Sequence, residues 1–295
     1  MSPRLSATVT ALLLTAGCAG DRRDGRDETE PPSPLAAVAS AVVEPAPAAP
    51  LASAAPADAA CPSDMVLVDG RYCPALQQRC LARQQVGVGA PVQRPEALNC
   101  ERYAQPSVCL RPDVLERVRV CMDRYEWPNQ AGALPRTLTT WVDAKATCES
   151  VGKRLCSESE FTFACEGEAM RPFVYGFERD ATKCNIDRPY RPRTFRFLPW
   201  EPCMADGACK AAFDAMDQRE PAGSRPGCVS PEGVFDLNGN ANEWVDNPKG
   251  LEHRAGIKGG WWGPMRNRCR PIVTFHAPGD FGYEVGFRCC RDPSR

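Results

Sequence analysis

Apolar and polar positions along the chain sort into a few short elements separated by long irregular stretches. Met65-Val66-Leu67-Val68 is an apolar run closed by Asp69-Gly70, and Val118 to Glu126 alternates well enough for a second strand. At Trp141, Ala144, Cys148 and Val151 the apolar spacing becomes helical, behind a Thr139 or Thr140 cap and ahead of Gly152. Ser157-Glu158-Ser159-Glu160 has the form of a capping box, and Phe161, Ala164 and Cys165 would line the inner face of the helix it starts. Between Tyr72 and Arg117 the pattern is weak and carries four cysteines, which predicts a disulfide-stapled insertion. After Gly167 the chain reads mostly as loop, with strand-like runs around Ile257, at 272–275 and at 285–288. These elements predict an α+β fold with two short helices, few strands and a high loop content, its core packed largely by Trp and Cys.

The first fifth of the chain follows a different logic. Arg4 precedes a short apolar run from Ala7 to Gly17, which ends in Leu14-Thr15-Ala16-Gly17-Cys18, as an export signal does. The segment resembles a bacterial lipoprotein signal, which implies that Cys18 is lipid-modified and becomes the new N-terminus. An ordinary secretory signal with an incidental Cys is the alternative. Ala19 after that Cys resembles lipoproteins sent on to the outer membrane. Of the thirty residues from Pro31 to Ala60, twenty are Pro or Ala, so residues 19–60 have little to bury and are expected to form an extended tether. The expected organisation is therefore a signal at 1–18, a tether at 19–60 and a folded module at 61–295 with its insertion at about 72–117.

Composition narrows the setting further. The formal net charge of −1 argues against nucleic acid as the partner. Sixteen of the seventeen cysteines lie from Cys61 onward. An even number this large in an exported chain implies a disulfide framework in an oxidising compartment. Structural zinc finds no support, because no cysteines have Cys-x-x-Cys spacing and there are only two histidines. Adjacent Cys289 and Cys290 are expected to bond to two different partners.

The stretch Gly233 to Val245 holds the densest candidate chemistry. From Asp236 to Glu243 it is rich in Asx residues around one Asn-Gly turn, flanked by Val234, Phe235, Trp244 and Val245. Asx side chains compete with regular backbone bonding, so the run reads as neither helix nor central strand. A polar loop pinned by apolar flanks suits a tight structural turn or a site for a hard cation. It does not follow the EF-hand pattern, since Ala241 and Asn247 stand where that loop needs Gly and Glu.

Taken in order, several motifs are similar to the successive signatures of the formylglycine-generating enzyme, or sulfatase-modifying factor, family. They are Asp123-Arg124-Tyr125-Glu126, Trp141-Val142-Asp143-Ala144, the run from Gly152 to Phe161, and Asn185-Ile186. Gly239-Asn240-Ala241-Asn242-Glu243-Trp244, Lys258-Gly259-Gly260-Trp261-Trp262 and Gly286-Phe287-Arg288-Cys289 complete the set. The resemblance covers roughly residues 64–292 and implies that family's C-type-lectin-like fold. It implies structural calcium on the side chains of Asp236 and Glu243 and the carbonyls of Gly239 and Ala241, with a second ion at Asn185 and Ile186. Asn242 departs from the aromatic residue usual before that Glu.

The family enzyme oxidises a substrate cysteine to formylglycine with oxygen and with copper held between two cysteines. A soft thiolate pair selects copper(I), so that chemistry needs both sulfurs. Cys269 falls on the second position, but Pro264, which has no ligand atom, occupies the first, and Trp261 replaces the usual Ser after Gly-Gly. A branch that binds iron through three histidines is not matched, since His253 and His276 cannot supply three. Two expectations follow. One is a tethered, non-catalytic module at the bacterial cell envelope, binding a protein, peptide or glycan, with Trp261, Trp262, Arg266, Arg268, Arg270 and His276 as contact groups. The other is a copper-dependent oxidase of exported proteins that uses Cys269 with an unexpected second thiol such as Cys289 or Cys290.

Overall fold

The computed structural model describes residues 60–83, 100–189, 191, 202, 205–264 and 266–294. All of them belong to the unit spanning Ala54–Arg295. The expected export signal with Cys18, the expected tether up to residue 59 and residues 84–99 of the expected insertion lie outside the described residues.

Two sheets organise the module. Strand β1 (Met65–Tyr72) pairs antiparallel along its whole length with β6 (Glu116–Asp123), and β11 (Cys289–Arg291) and β7 (Arg154–Leu155) extend the sheet in the order β1-β6-β11-β7. In the second sheet β8 (Asn242–Asp246) is central, antiparallel to β9 (Ala255–Lys258) and parallel to β10 (Val285–Phe287). The insertion contributes two small ribbons, β2 (Leu76–Gln77) with β5 (Val108–Cys109) and β3 (Cys80–Arg83) with β4 (Cys100–Tyr103).

Both expected helices form where their caps place them. Helix α1 (Trp141–Ser150) starts at Thr140, whose hydroxyl accepts from Asp143 N. Helix α2 (Glu158–Glu166) has a complete capping box between Ser157 and Glu160. Every α2 residue from Phe161 to Glu166 is buried, so this helix is the centre of the main core. A third helix, α3 (Gly207–Met216), joins them in a region read from sequence as loop, capped by Asp206 and burying Cys209, Phe213 and Met216.

Three strand assignments change. Asp69-Gly70 does not close β1 but lies inside it, because the ladder continues through Asp69 with Arg119 and Gly70 with Val118; the Phe163 ring sits 2.4 Å from where a Gly70 Cβ would be. Only Gly lets that helix residue reach the strand. The run at 272–275 contributes a single bridge, Val273 with Ile257. Asn242 and Glu243, expected in a loop, begin the central strand β8, because tertiary partners satisfy their polar groups.

Disulfides tie these pieces together. Cys61–Cys121, Cys73–Cys109 and Cys80–Cys100 fasten the first strand and the insertion. Cys148–Cys289, Cys156–Cys290 and Cys165–Cys269 bind the C-terminal third to α1, to the link between β7 and α2, and to α2, and Cys184–Cys228 joins two loops. The adjacent Cys289 and Cys290 do take different partners. The chain is thus a loop-rich, disulfide-stapled α+β domain, as its sequence predicts.

Candidate functional site

The Asx-rich turn is built by three residues with positive φ: Asp236 at 60°, Gly239 at 81° and Asn240 at 57°. Gly239 is required twice over, since a Cβ there would also lie 2.3 Å from the Asn185 carbonyl oxygen. The turn folds over Glu126, whose carboxylate accepts from Ala241 N at 2.9 Å and Asn240 Nδ2 at 2.7 Å. Asn240 Oδ1 in turn accepts from Glu220 N and Asn185 Nδ2. Asn238 points into the core, taking Val174 N at 2.7 Å and donating to Leu237 O and to the sulfur of Cys165.

Three carboxylates end up buried here: Glu126, Asp236 and Glu243. Arg288 is the guanidinium that faces them, binding Glu243 through Nε and Nη2 at 2.7 Å each. Burial raises the pKa of Glu126 well above the ordinary range, and Asp236 and Glu243 push it further. Burial likewise pushes Asp236 up to about 6, with Glu243 and Glu220 adding to it against its bond from Gly223 N. Glu243 is raised by burial against the pull of Arg288. The sequence reading did not assign a role to Glu126 or Arg288. Both stand in motifs quoted above, and for Arg288 a lone base in the apolar run from Val285 to Cys290 was the available signal.

At the two calcium positions that the family implies, protein donors already reach the side-chain oxygens. Arg288 binds both oxygens of Glu243 and Gly223 N donates to Asp236 Oδ2, and among the described residues no group of three or more His, Cys, Asp or Glu is placed to hold a metal ion. The Asn185 side-chain oxygen already accepts from the Arg188 guanidinium, and its backbone oxygen accepts from Asn240 N.

The thiol chemistry is spoken for. Cys269 is fully buried and bonded to Cys165. Cys289 and Cys290, the alternative partners, are bonded to Cys148 and Cys156. Pro264 offers no ligand atom. The residues present do not fit a copper ion held by two thiolates.

The six expected contact groups are not brought together on one surface. Trp262 is fully buried, packed against Trp261 and Tyr283 with ring centroids 5.2 and 5.8 Å away. Trp261 is half-buried beside it. Arg270 turns inward, where its guanidinium clamps Glu166 and also donates to Cys73 O at 2.7 Å. Arg268 is also buried, donating to Tyr103 Oη at 2.6 Å. Arg266 is half-buried with φ 61°. His276 remains accessible, pairing with Asp280 at 3.4 Å beside the exposed ring of Phe275. Arginines on either side of a core cysteine serve here as internal clamps, because each finds a buried acid, phenol or carbonyl that a surface arginine would not need.

Solved structures to which the chain is similar include CarF, at 15% identity over 78% of this chain and 98% of that one, with a TM-score of 0.45. The variable protein 1 of Treponema denticola aligns at 12% identity over 77% of this chain and 99% of that one, TM-score 0.44. PvdO from Pseudomonas aeruginosa aligns at 18% identity over 74% and 92%, TM-score 0.41. Residues 113–293, more than half of the 295-residue chain, match the sulfatase-modifying factor enzyme 1-like domain. That match begins beyond most of the insertion and takes in the three capped helices, the Asx turn and Arg288. The chain therefore belongs to the sulfatase-modifying factor family and has its C-type-lectin-like fold.

Proposed function

We propose that the protein is a non-catalytic member of its family, a binding module tethered at the bacterial cell envelope that takes a protein, peptide or glycan partner. One observation carries the reading: Cys269, the family's remaining copper-binding position, is closed into a buried disulfide with Cys165 opposite a proline at the other position. Without a thiolate pair the chain has no ligand set for copper(I), and what is left of the site is a packed core. The disulfide framework supports an oxidising, exported setting. The lipobox-like run ending in Cys18 and the Pro/Ala-rich tether support anchoring through lipid, in the outer membrane. Structural calcium at the Asx turn completes the proposal.

The experiment that tests it measures oxygen consumption by purified protein with copper and a Cys-x-Pro-x-Arg peptide. No turnover is expected, with or without mild reduction. Turnover that disappears in Cys269→Ser would replace the proposal with the oxidase reading. Metabolic labelling with a fatty acid, lost in Cys18→Ser, tests the anchor separately.

A further inference from the structure

The four-stranded sheet packs one face on α2 and leaves part of the other to solvent. Gly70 turns toward Phe163, so strand alternation places Asp69 and Arg71 of β1 on the opposite face, level with Arg117 and Arg119 of β6. All four are exposed. Strand β11 adds exposed Arg291, which lies opposite Cys121. The acids nearby do not cancel these arginines. Among the described residues Asp69 is the acid that meets them, pairing with Arg117 at 2.6 Å and Arg119 at 3.3 Å. Asp123, at the far end of β6, is buried and held by Lys153, and Asp292 is held by Arg154. Glu168 accepts from Arg71 N at the outer edge of β1, and its carboxylate lies 3.0 Å from where a Gly70 Cβ would be, toward the packed face.

Arg71 and Arg117 are direct cross-strand partners. Arg71 N points away from β6, to Glu168 Oε1 at 3.3 Å, so theirs is the non-hydrogen-bonded kind of pair, in which side chains stand closest. Like charges directly opposite destabilise a sheet, and the Arg71 side chain has no ionic partner among the described residues. Four guanidinium groups around one carboxylate form a surface that an external anion would relieve. A second observation says where that anion lies. Cys121, on this face, is bonded to Cys61, and Ala60 O accepts from Ser294 N at 2.8 Å. The stretch before residue 60, expected to tether the module to a membrane, therefore joins it on the face that bears the arginines.

We propose that this face seats the module on an anionic phospholipid surface, that of the membrane holding its anchor, with Arg71, Arg117, Arg119 and Arg291 against the headgroup phosphates. The proposal rests on the anchored reading and supplies the module's orientation on its membrane. Each basic residue near such a surface raises partitioning about fivefold. A net excess of three charges is weak docking for a free protein, and a tether makes it sufficient by turning the encounter into an intramolecular event.

Vesicle flotation of the exported full chain carrying Cys18→Ser, which takes lipid attachment out of the measurement, tests it. The readout is the ratio of partitioning onto phosphatidylcholine vesicles with about one-third phosphatidylglycerol to that onto phosphatidylcholine alone. A ratio of at least about tenfold at low salt, falling toward one at about 0.5 M salt, is expected. Arg71→Gln with Arg117→Gln is expected to bring the ratio close to one, with Tm unchanged or raised because a like-charge pair has gone. Lys183→Gln with Lys210→Gln removes the same charge outside the sheet and should leave the ratio nearly unchanged. A ratio near one in the parent chain, or equal losses in the two double variants, overturns the proposal. Polyglutamate that empties the vesicles at equal charge would make the partner an acidic protein and overturn it as well. Fatty-acid labelling at Cys18 decides the anchor separately. If labelling fails while the ratio holds, the anchored reading falls and the face remains; if labelling succeeds and the ratio is one, only this face falls.

Discussion

Arg288 binds Glu243 through two hydrogen bonds of 2.7 Å, and each side chain is only 1% exposed. The remaining Arg288 bonds go to Phe235 O and Asp123 O, so one guanidinium joins the link between β10 and β11 to the Asx turn and the end of β6. Removing one partner leaves a buried charge without its counterion. Arg288→Met and Glu243→Gln are each expected to cost about 3–5 kcal/mol. The double variant should cost clearly less than their sum. Denaturant unfolding of the four proteins measures the coupling, and strict additivity would show that the pair acts independently.

The Cys165–Cys269 bridge closes a loop across 104 residues between α2 and the segment after Gly260. Replacing both cysteines with Ala is expected to lower stability by about 2–5 kcal/mol. Oxygen consumption with copper should be zero before and after. Thermal unfolding and an oxygen electrode check the two halves separately.

Calcium should stabilise the module through the Asx turn. A chelator is expected to lower Tm by several degrees, since a ligand bound only to the folded state adds stability in proportion to the logarithm of its concentration. Asp236→Asn should remove most of that shift. An unchanged Tm between chelated and calcium-loaded protein would take the ion out of the account.

Asp236 also gives a pH test. Its folded pKa is pushed up to about 6 from an ordinary 3.8, mainly by burial. The folded state therefore holds a proton that the unfolded state has released, so this contribution is fully present below pH 3.8 and is lost as pH rises through about 6. In chelator, wild type should lose Tm relative to Asp236→Asn between pH 4 and 7. A constant difference across that range would mean that Asp236 does not titrate there.

Gly239→Ala and Gly70→Ala test two different packing demands. At Gly239 a Cβ meets the Asn185 backbone at 2.3 Å and φ is 81°, so several kcal/mol of destabilisation is expected. At Gly70 the obstacle is the rim of the Phe163 ring at 2.4 Å, and about 1–3 kcal/mol is expected. Phe163→Leu should recover part of the second loss and none of the first.

The helices were legible because their caps are local: Thr140 with Asp143, and Ser157 with Glu160, act within one turn. Helix α3 had the same kind of signal, Asp206 followed by Cys209, Phe213 and Met216, but its Arg- and Pro-rich surroundings hid it. Strand β8 was misread for a different reason. The partner that makes Glu243 acceptable in a central strand is Arg288, 45 residues away, and nothing local announces it. The inward turn of Arg268 and Arg270 was equally out of reach, since Tyr103 and Glu166 are brought to them only by the fold. The Asx turn was located correctly, whereas its hydrogen-bonded floor, Glu126, comes from the end of the first sheet.

The first bridge has a mechanical meaning. Cys61 lies just ahead of β1, yet its disulfide leads to Cys121 in β6, the strand between β1 and β11. Tension entering the folded module at residue 61 therefore bypasses β1 and is delivered to the interior of the sheet. The β1–β6 pairs from Leu67 with Cys121 to Tyr72 with Glu116 sit inside the covalent loop and cannot be unzipped from that end. Under force applied at residue 61, the module would yield only by tearing a central strand from its neighbours, or after a reductant had opened that single link.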